Sequence, residues 1–171
     1  SFLTQAATLA ASTFAAPMIL PSRIFGANER ITLGAIGVRN QGTNNIKAFQ
    51  KTNVDIAAVC DADSSVLATA AELVGKDRPK PAMFGDYREL LDQKGIDAVV
   101  VTVPDHWHAL MTIHACQAGK DVYCEKPLSL TIMEGRRMVN AAREHRRIVQ
   151  TGSQQRSSSE FWQACMLVRN G

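Results

Sequence analysis

The chain has 171 residues, with 19 Lys+Arg against 16 Asp+Glu, a net charge of +3, and 46% hydrophobic residues. That apolar content with interspersed charge excludes disorder, and the slight positive balance, without a basic-aromatic stripe, makes no case for nucleic acid. The four cysteines, Cys60, Cys116, Cys124 and Cys165, show no Cys-Xaa-Xaa-Cys spacing, so they read as small core residues rather than a metal knuckle or disulfide framework.

The charge is unevenly placed. Residues 1–22 carry none of it, whereas the body from Arg23 onward is charged at about 23%, the ordinary globular level. Residues 2–20, FLTQAATLAASTFAAPMIL, are only mildly apolar and are interrupted by Pro17. A spanning helix wants roughly 20 strongly apolar residues, so no stable membrane span is expected. The segment fits the h-region of an export signal, with Ala15 and Ala16 near a cleavage point. Its opening Ser-Phe-Leu resembles the stretch that follows the paired arginines of a twin-arginine leader, although the sequence opens at Ser1 and shows no such pair. The expectation is an exported, periplasmic protein. The alternative is an N-terminal arm retained on a cytoplasmic one.

After a linker at 23–30, apolar runs alternate with helical patterns. Ile31–Ile36 reads as a buried strand and residues 42–51 as a helix. Val54–Cys60 is the second strand, and residues 63–74 form a helix with Asp63 or Ser64 as cap. A short strand at Ala82–Phe84 and a helix at 87–93 follow. Residues 97–103, DAVVVTV, are the most strand-like run, apolar and β-branched as a strand covered on both faces should be. A helix over 107–118 stops at Gly119. Then come a strand at 121–124, a long helix at 129–146 with a basic outer face, a sixth strand at 148–151 and a last helix from Ser159. The arginine pairs of the long helix, spaced with Glu134 and Glu144, read as a solvated face. Strands alternating with helices imply right-handed crossovers, a parallel sheet and a doubly wound α/β fold of strand order 3-2-1-4-5-6.

Three strand ends carry candidate chemistry. The first runs into Gly37-Val38-Arg39-Asn40-Gln41-Gly42. In the dinucleotide fingerprint GxGxxG, the first glycine permits the tight turn and the third permits close helix–strand packing; here both are present and Arg39 replaces the second. The helix N-terminus would still offer N–H groups to a pyrophosphate, and Arg39 would add a cation. A plain strand–turn–helix fits the same residues. Asp61 ends the second strand 24 residues after Gly37, close to the offset of the acid that binds the adenosine ribose. A carboxylate there repels a 2′-phosphate, and Ala62 rather than Arg follows it, so NAD is expected over NADP. A helix cap is the alternative for Asp61, a role Asp63 can fill equally. The fourth strand ends in Thr102, Pro104, Asp105, His106, Trp107 and His108, where parallel sheets bind ligands. Asp105 then serves as helix N-cap; a metal reading of Asp105 and His108 lacks further ligands. The fifth strand ends in Glu125-Lys126-Pro127, and a lysine in such a cleft can act as acid or base, although a surface lysine is the usual case.

Together the stretches ITLGAIG, VCD, VTVPDHWHAL, AGKDVYCEKPLSL and VQTGSQQRS strongly resemble the N-terminal domain of the glucose–fructose oxidoreductase, inositol dehydrogenase and MocA family. The resemblance runs from about Ile31 to Gly171, and its specific part is Glu-Lys-Pro placed after Pro-Asp-Xaa-Xaa-His. It implies that Gly37 and Gly42, with Arg39 and Asn40 between them, form the pyrophosphate loop, and that Asp61 binds the adenosine ribose. It implies that Thr102, Pro104, Asp105 and His108 line the nicotinamide half, that Glu125 contacts a cofactor ribose and that Lys126 is the catalytic lysine. The implied activity is hydride transfer between NAD(P) and a secondary alcohol of a sugar, inositol or related compound. Some similar proteins are NAD-using glycosidases that oxidise the sugar transiently. A nucleotide-binding module without catalysis is the remaining alternative. The family pattern places a second α/β domain after the first, so residues 31–155 are expected to be the dinucleotide-binding domain. Residues 156–171 would lead toward a substrate domain beyond Gly171, in a protein that forms homo-oligomers.

Overall fold

The computed structural model describes residues 30–171. The expected leader at 1–22 and the linker before Arg30 lie outside the described residues. The elements in chain order are β1 Ile31–Ile36, α1 Gln41–Phe49, β2 Val54–Cys60, α2 Ser64–Gly75, β3 Ala82–Phe84, α3 Tyr87–Leu91 and β4 Ala98–Val101. They continue with α4 Asp105–Gln117, β5 Asp121–Glu125, α5 Ile132–Glu144, β6 Val149–Gly152, a 3₁₀ turn at Gln154–Ser157 and α6 Ser159–Asn170.

Six parallel strands pair in the order β3-β2-β1-β4-β5-β6, the doubly wound arrangement expected from the alternation. Successive strand side chains point to opposite faces, so the sheet divides the core in two. Leu33, Ala35, Val59 and Val100 pack with Ile46, Leu67 and Val74 under α1 and α2. Ile36, Val99, Val101, Val122 and Cys124 pack with Leu90, Ala115, Cys116 and Met138 under α3, α4 and α5. A register shift between Leu33 and Gly34 interrupts the β1–β2 ladder.

Local chemistry sets the helix ends. Asp63 caps α2, accepting from the N–H groups of Ser65 and Val66. Thr131 and Glu134 form a capping box that starts α5, so this helix begins three residues later than the pattern predicts. The buried Lys120 ammonium donates to the carbonyls of Gln93, at 2.7 Å, and Ile96, at 2.8 Å, tying the end of α4 to the loop before β4. Burial pushes its pKa down.

Two expectations need correction. Cys60, Cys116 and Cys124 are buried, but Cys165 on α6 is exposed, because no residue of α6 is buried. Asp105 is not the N-cap of α4. Pro104 holds that position with no side-chain cap bond, and Asp105 is the first helical residue, where its charge complements the helix dipole. Among the described residues, no helix is long and apolar enough to cross a membrane.

Candidate functional site

The carboxyl ends of β1, β2 and β4 meet at the glycine loop. Gly37 has φ +78°, and a Cβ there would lie 2.1 Å from the Thr102 carbonyl oxygen. A Cβ on Gly42 would lie 2.0 Å from the Gly37 carbonyl oxygen. Both glycines are therefore required by the packing of β1, the loop and α1, as the fingerprint reasoning predicts. Asn40 sits at the N-cap of α1 with φ 43° and makes no side-chain cap bond. In the first turn the Gly42 N–H donates to the Arg39 carbonyl at 2.8 Å, which leaves those of Gln41 and Thr43 for another acceptor.

Asp61 is not a helix cap. One of its oxygens accepts from Val38 N–H and the other from Asp63 N–H, each at 3.0 Å, so the acid stitches the glycine loop to the loop after β2. Arg39 is paired rather than free: its guanidinium lies 2.5 Å from the Asp63 carboxylate. Beside them Cys60 is buried, and burial, with the Asp61 charge second, pushes its thiol up to about 12. Arg39, Cys60 and Asp61 line a cleft of about 570 Å³, together with Tyr87, Trp107 and Met111. Thr102 and Pro104 line the same cleft.

The β5 end is built differently. Glu125 is 3% exposed. Its Oε1 accepts from Asn45 Nδ2 at 3.1 Å and from Gln41 Nε2 at 3.3 Å, and its Oε2 accepts from Lys126 N–H at 3.2 Å. Asn45 also donates to Thr102 Oγ1 at 3.2 Å and accepts from Gln41 at 3.0 Å. Glu125 pairs across the sheet with Gly152, where a Cβ would lie 2.8–3.0 Å from the carboxylate. His108 is buried, and its Nδ1 donates to the Pro127 carbonyl at 2.5 Å. Nε2 has no hydrogen-bond partner among the described residues. Glu125 and Pro127, on either side of exposed Lys126, are thus each fixed from below. Lys126 does not enter the larger cleft; it lines a second one, of about 430 Å³, with Gln154, Arg156 and Phe161. Sequence reasoning missed Gln41 and Asn45. The signal was present in the helical spacing of Gly42, Asn45, Ile46 and Phe49, which puts Asn45 on the buried face.

A parallel sheet with a glycine loop, an open helix N-terminus and an acid at the tip of β2 defines a dinucleotide-binding domain. The donors and the acid fit that ligand: N–H groups for the pyrophosphate and, on Asp61, lone pairs left over for ribose hydroxyls. Residues 31–153 match the model of an oxidoreductase family described as an NAD-binding Rossmann fold. The chain belongs to this glucose–fructose oxidoreductase, inositol dehydrogenase and MocA family, and its cofactor is NAD.

Glycosyl hydrolase family 109 protein 1 of Shewanella sp. strain MR-4 is 37% identical over 120 residues, which cover 67% of the chain and 26% of that protein. The alpha-N-acetylgalactosaminidase of Shewanella oneidensis is 36% identical over the same shares. The chain thus spans about a quarter of the length of these curated relatives. Among solved structures, myo-inositol 2-dehydrogenase from Lactobacillus plantarum superposes with a TM-score of 0.74 at 29% identity, covering 83% of the chain and 42% of that protein. The WlbA dehydrogenase from Bordetella pertussis, in complex with NADH and UDP-GlcNAcA, gives 0.73 at 25% identity, covering 83% and 40%.

Proposed function

We propose that this chain is the cofactor-binding part of an NAD-dependent oxidoreductase that acts on a secondary alcohol of a sugar, inositol or related compound. The observation that carries the reading is the placement of Lys126. It stands at the carboxyl end of β5, fixed through Glu125 and Pro127, beside a cleft with the amide of Gln154, the guanidinium of Arg156 and the ring of Phe161. Amides and cations suit hydroxyls, and an aromatic face suits the apolar side of a sugar ring.

In this reading the Gly37–Gly42 loop and the start of α1 hold the pyrophosphate, and Asp61 holds the adenosine ribose. Thr102, Pro104, Asp105 and His108 border the nicotinamide half, and Glu125 meets a ribose or keeps the loop in place. Bound NAD supplies the hydride acceptor or donor. Lys126 hydrogen-bonds the reacting hydroxyl oxygen and takes or returns its proton. Helix α6, with Phe161, Trp162, Leu167 and Val168 exposed, would lead to a substrate domain. The uncharged first 22 residues support export of the protein already folded; fractionation that finds it only in the cytoplasm removes that part.

The test is Lys126→Met in the intact protein. The expected result is a fall in kcat of about 100-fold or more with NADH affinity retained. Wild-type kcat overturns the role.

A second reading, redox-neutral glycoside cleavage with NAD retained, is favoured by one observation. The relatives named as glycosidases are 35–37% identical, against 25–29% for the dehydrogenases above. Both reactions open on the same oxidation of a sugar hydroxyl. Release of an aglycone without net NADH formation selects the glycosidase, and stoichiometric NADH selects the dehydrogenase.

A further inference from the structure

Arg39 stands where the dinucleotide fingerprint has its second glycine, and its guanidinium reaches across to Asp63 at 2.5 Å. The two residues bracket Asp61, whose oxygens are held by Val38 N–H on one side and Asp63 N–H on the other. A planar, bidentate phosphate donor therefore lies beside the acid that ends β2, with its charge cancelled by a second carboxylate. In this fold the acid at that strand end favours NAD, and a nearby arginine accommodates the 2′-phosphate of NADP. Here Ala62 follows Asp61, so the sequence after β2 supplies no such arginine and the glycine loop supplies one instead. Arg88 lines the same cleft but is occupied by Asp86, to which it donates from Nε and Nη2.

We propose that Asp63 is a specificity-determining residue: by occupying Arg39 it keeps the site selective for NAD, and its loss frees Arg39 for the 2′-phosphate of NADP. The inference rests on the dinucleotide reading of the cleft. With Asp63 present, two acids face one cation around the end of β2; without it, one of each remains. The side chains of Arg39 and Asp63 are 60% and 42% exposed, so water screens the pair and the shift in preference is moderate rather than absolute.

The experiment uses Asp63→Ser in the intact protein, because serine keeps an oxygen that caps α2. NADH and NADPH are titrated separately by fluorescence at low salt. The expected result is a rise of about fivefold in NADPH affinity relative to NADH, abolished when Arg39→Gly is added. An unchanged ratio, or a rise that survives Arg39→Gly, overturns the proposal. Equal weakening of both cofactors by Arg39→Gly alone overturns it too, since it assigns the guanidinium to the shared pyrophosphate. Circular dichroism checks folding, and Asp63→Asn, which removes the charge and keeps the shape, is read in the same way if Asp63→Ser fails to fold. A wild-type protein that binds neither cofactor overturns the dinucleotide reading itself; one that binds NADH with a fixed ratio overturns this inference alone.

Discussion

At the β2 end of the sheet, half-exposed Asp61 is held by two backbone N–H groups, from Val38 and Asp63. At the β5 end, Glu125 is buried and is held mainly by the side-chain amides of Asn45 and Gln41. The first arrangement depends on the path of the chain and tolerates changes in neighbouring side chains. The second depends on particular side chains from α1 and on the missing side chain at Gly152. An acid held by backbone is therefore broken through glycines, and an acid held by side chains is broken through its partners.

The largest expected effect is at the loop that sets the path. Gly42→Ala puts a methyl 2.0 Å from the Gly37 carbonyl, against backbone that cannot swing away. A loss of about 3 kcal/mol or more in urea denaturation is expected, with NADH binding lost alongside. A loss under about 1 kcal/mol would mean that loop and strand yield together, and the contrast between the two ends would fail.

Next comes the packing of Glu125 on Gly152. Gly152→Ala presses on the carboxylate and is expected to cost about 1–3 kcal/mol. In a Glu125→Ala background the same change should cost less than about 0.5 kcal/mol, because the group it meets is gone. Additive effects in this double-mutant cycle would show that Gly152 answers to the backbone, as the β2 end does.

A pH experiment sharpens the same boundary at Cys60, the last residue of β2. Its thiol is pushed from 9.0 up to about 12 by burial first and by the Asp61 charge second. The folded-state value lies above the unfolded one, so the folded chain retains the proton over a range in which the unfolded chain loses it. This contribution is intact below pH 9 and is lost as pH rises from 9 toward 12. The fall in stability over that range should flatten in Cys60→Ala. Alkylation of the native protein should reach exposed Cys165 and spare Cys60.

The six strands and their order were legible because buried parallel strands are apolar throughout and their connections are handed. Ends were less legible. The run at 97–103 reads as strand to Val103, but β4 stops at Val101, because the Thr102 carbonyl closes over Gly37. The helix expected from Trp107 starts at Asp105, since Pro104 is preset for a helix entrance. The tight turn at Gly37, the close packing at Gly42 and the position of Asp61 just after β2 were legible through spacing. The buried placement of Asn45 was legible in the spacing of α1, but its bond to Glu125 and that of Gln41 were not, because that partner is 80 or more residues away. Cys165 was misread because sequence does not show which helix lacks a cover.

The smallest effect is expected at the Arg39–Asp63 pair, and it bears most directly on the contrast. The pair joins the glycine loop to the cap of α2, as Asp61 does, but it does so with two exposed side chains. An exposed ion pair gains little Coulomb energy in water and costs side-chain entropy, so Arg39→Ala should change stability by less than about 1 kcal/mol, and by less still in 1 M salt. Asp63 keeps its bonds to Ser65 and Val66 in that variant, so α2 remains capped. A loss above about 2 kcal/mol would instead make the pair a structural tie, and the β2 end would then depend on side chains as the β5 end does. A small loss makes the pair marginal to the fold, so that its effect is read in cofactor preference, where Asp63 occupies Arg39, and not in stability.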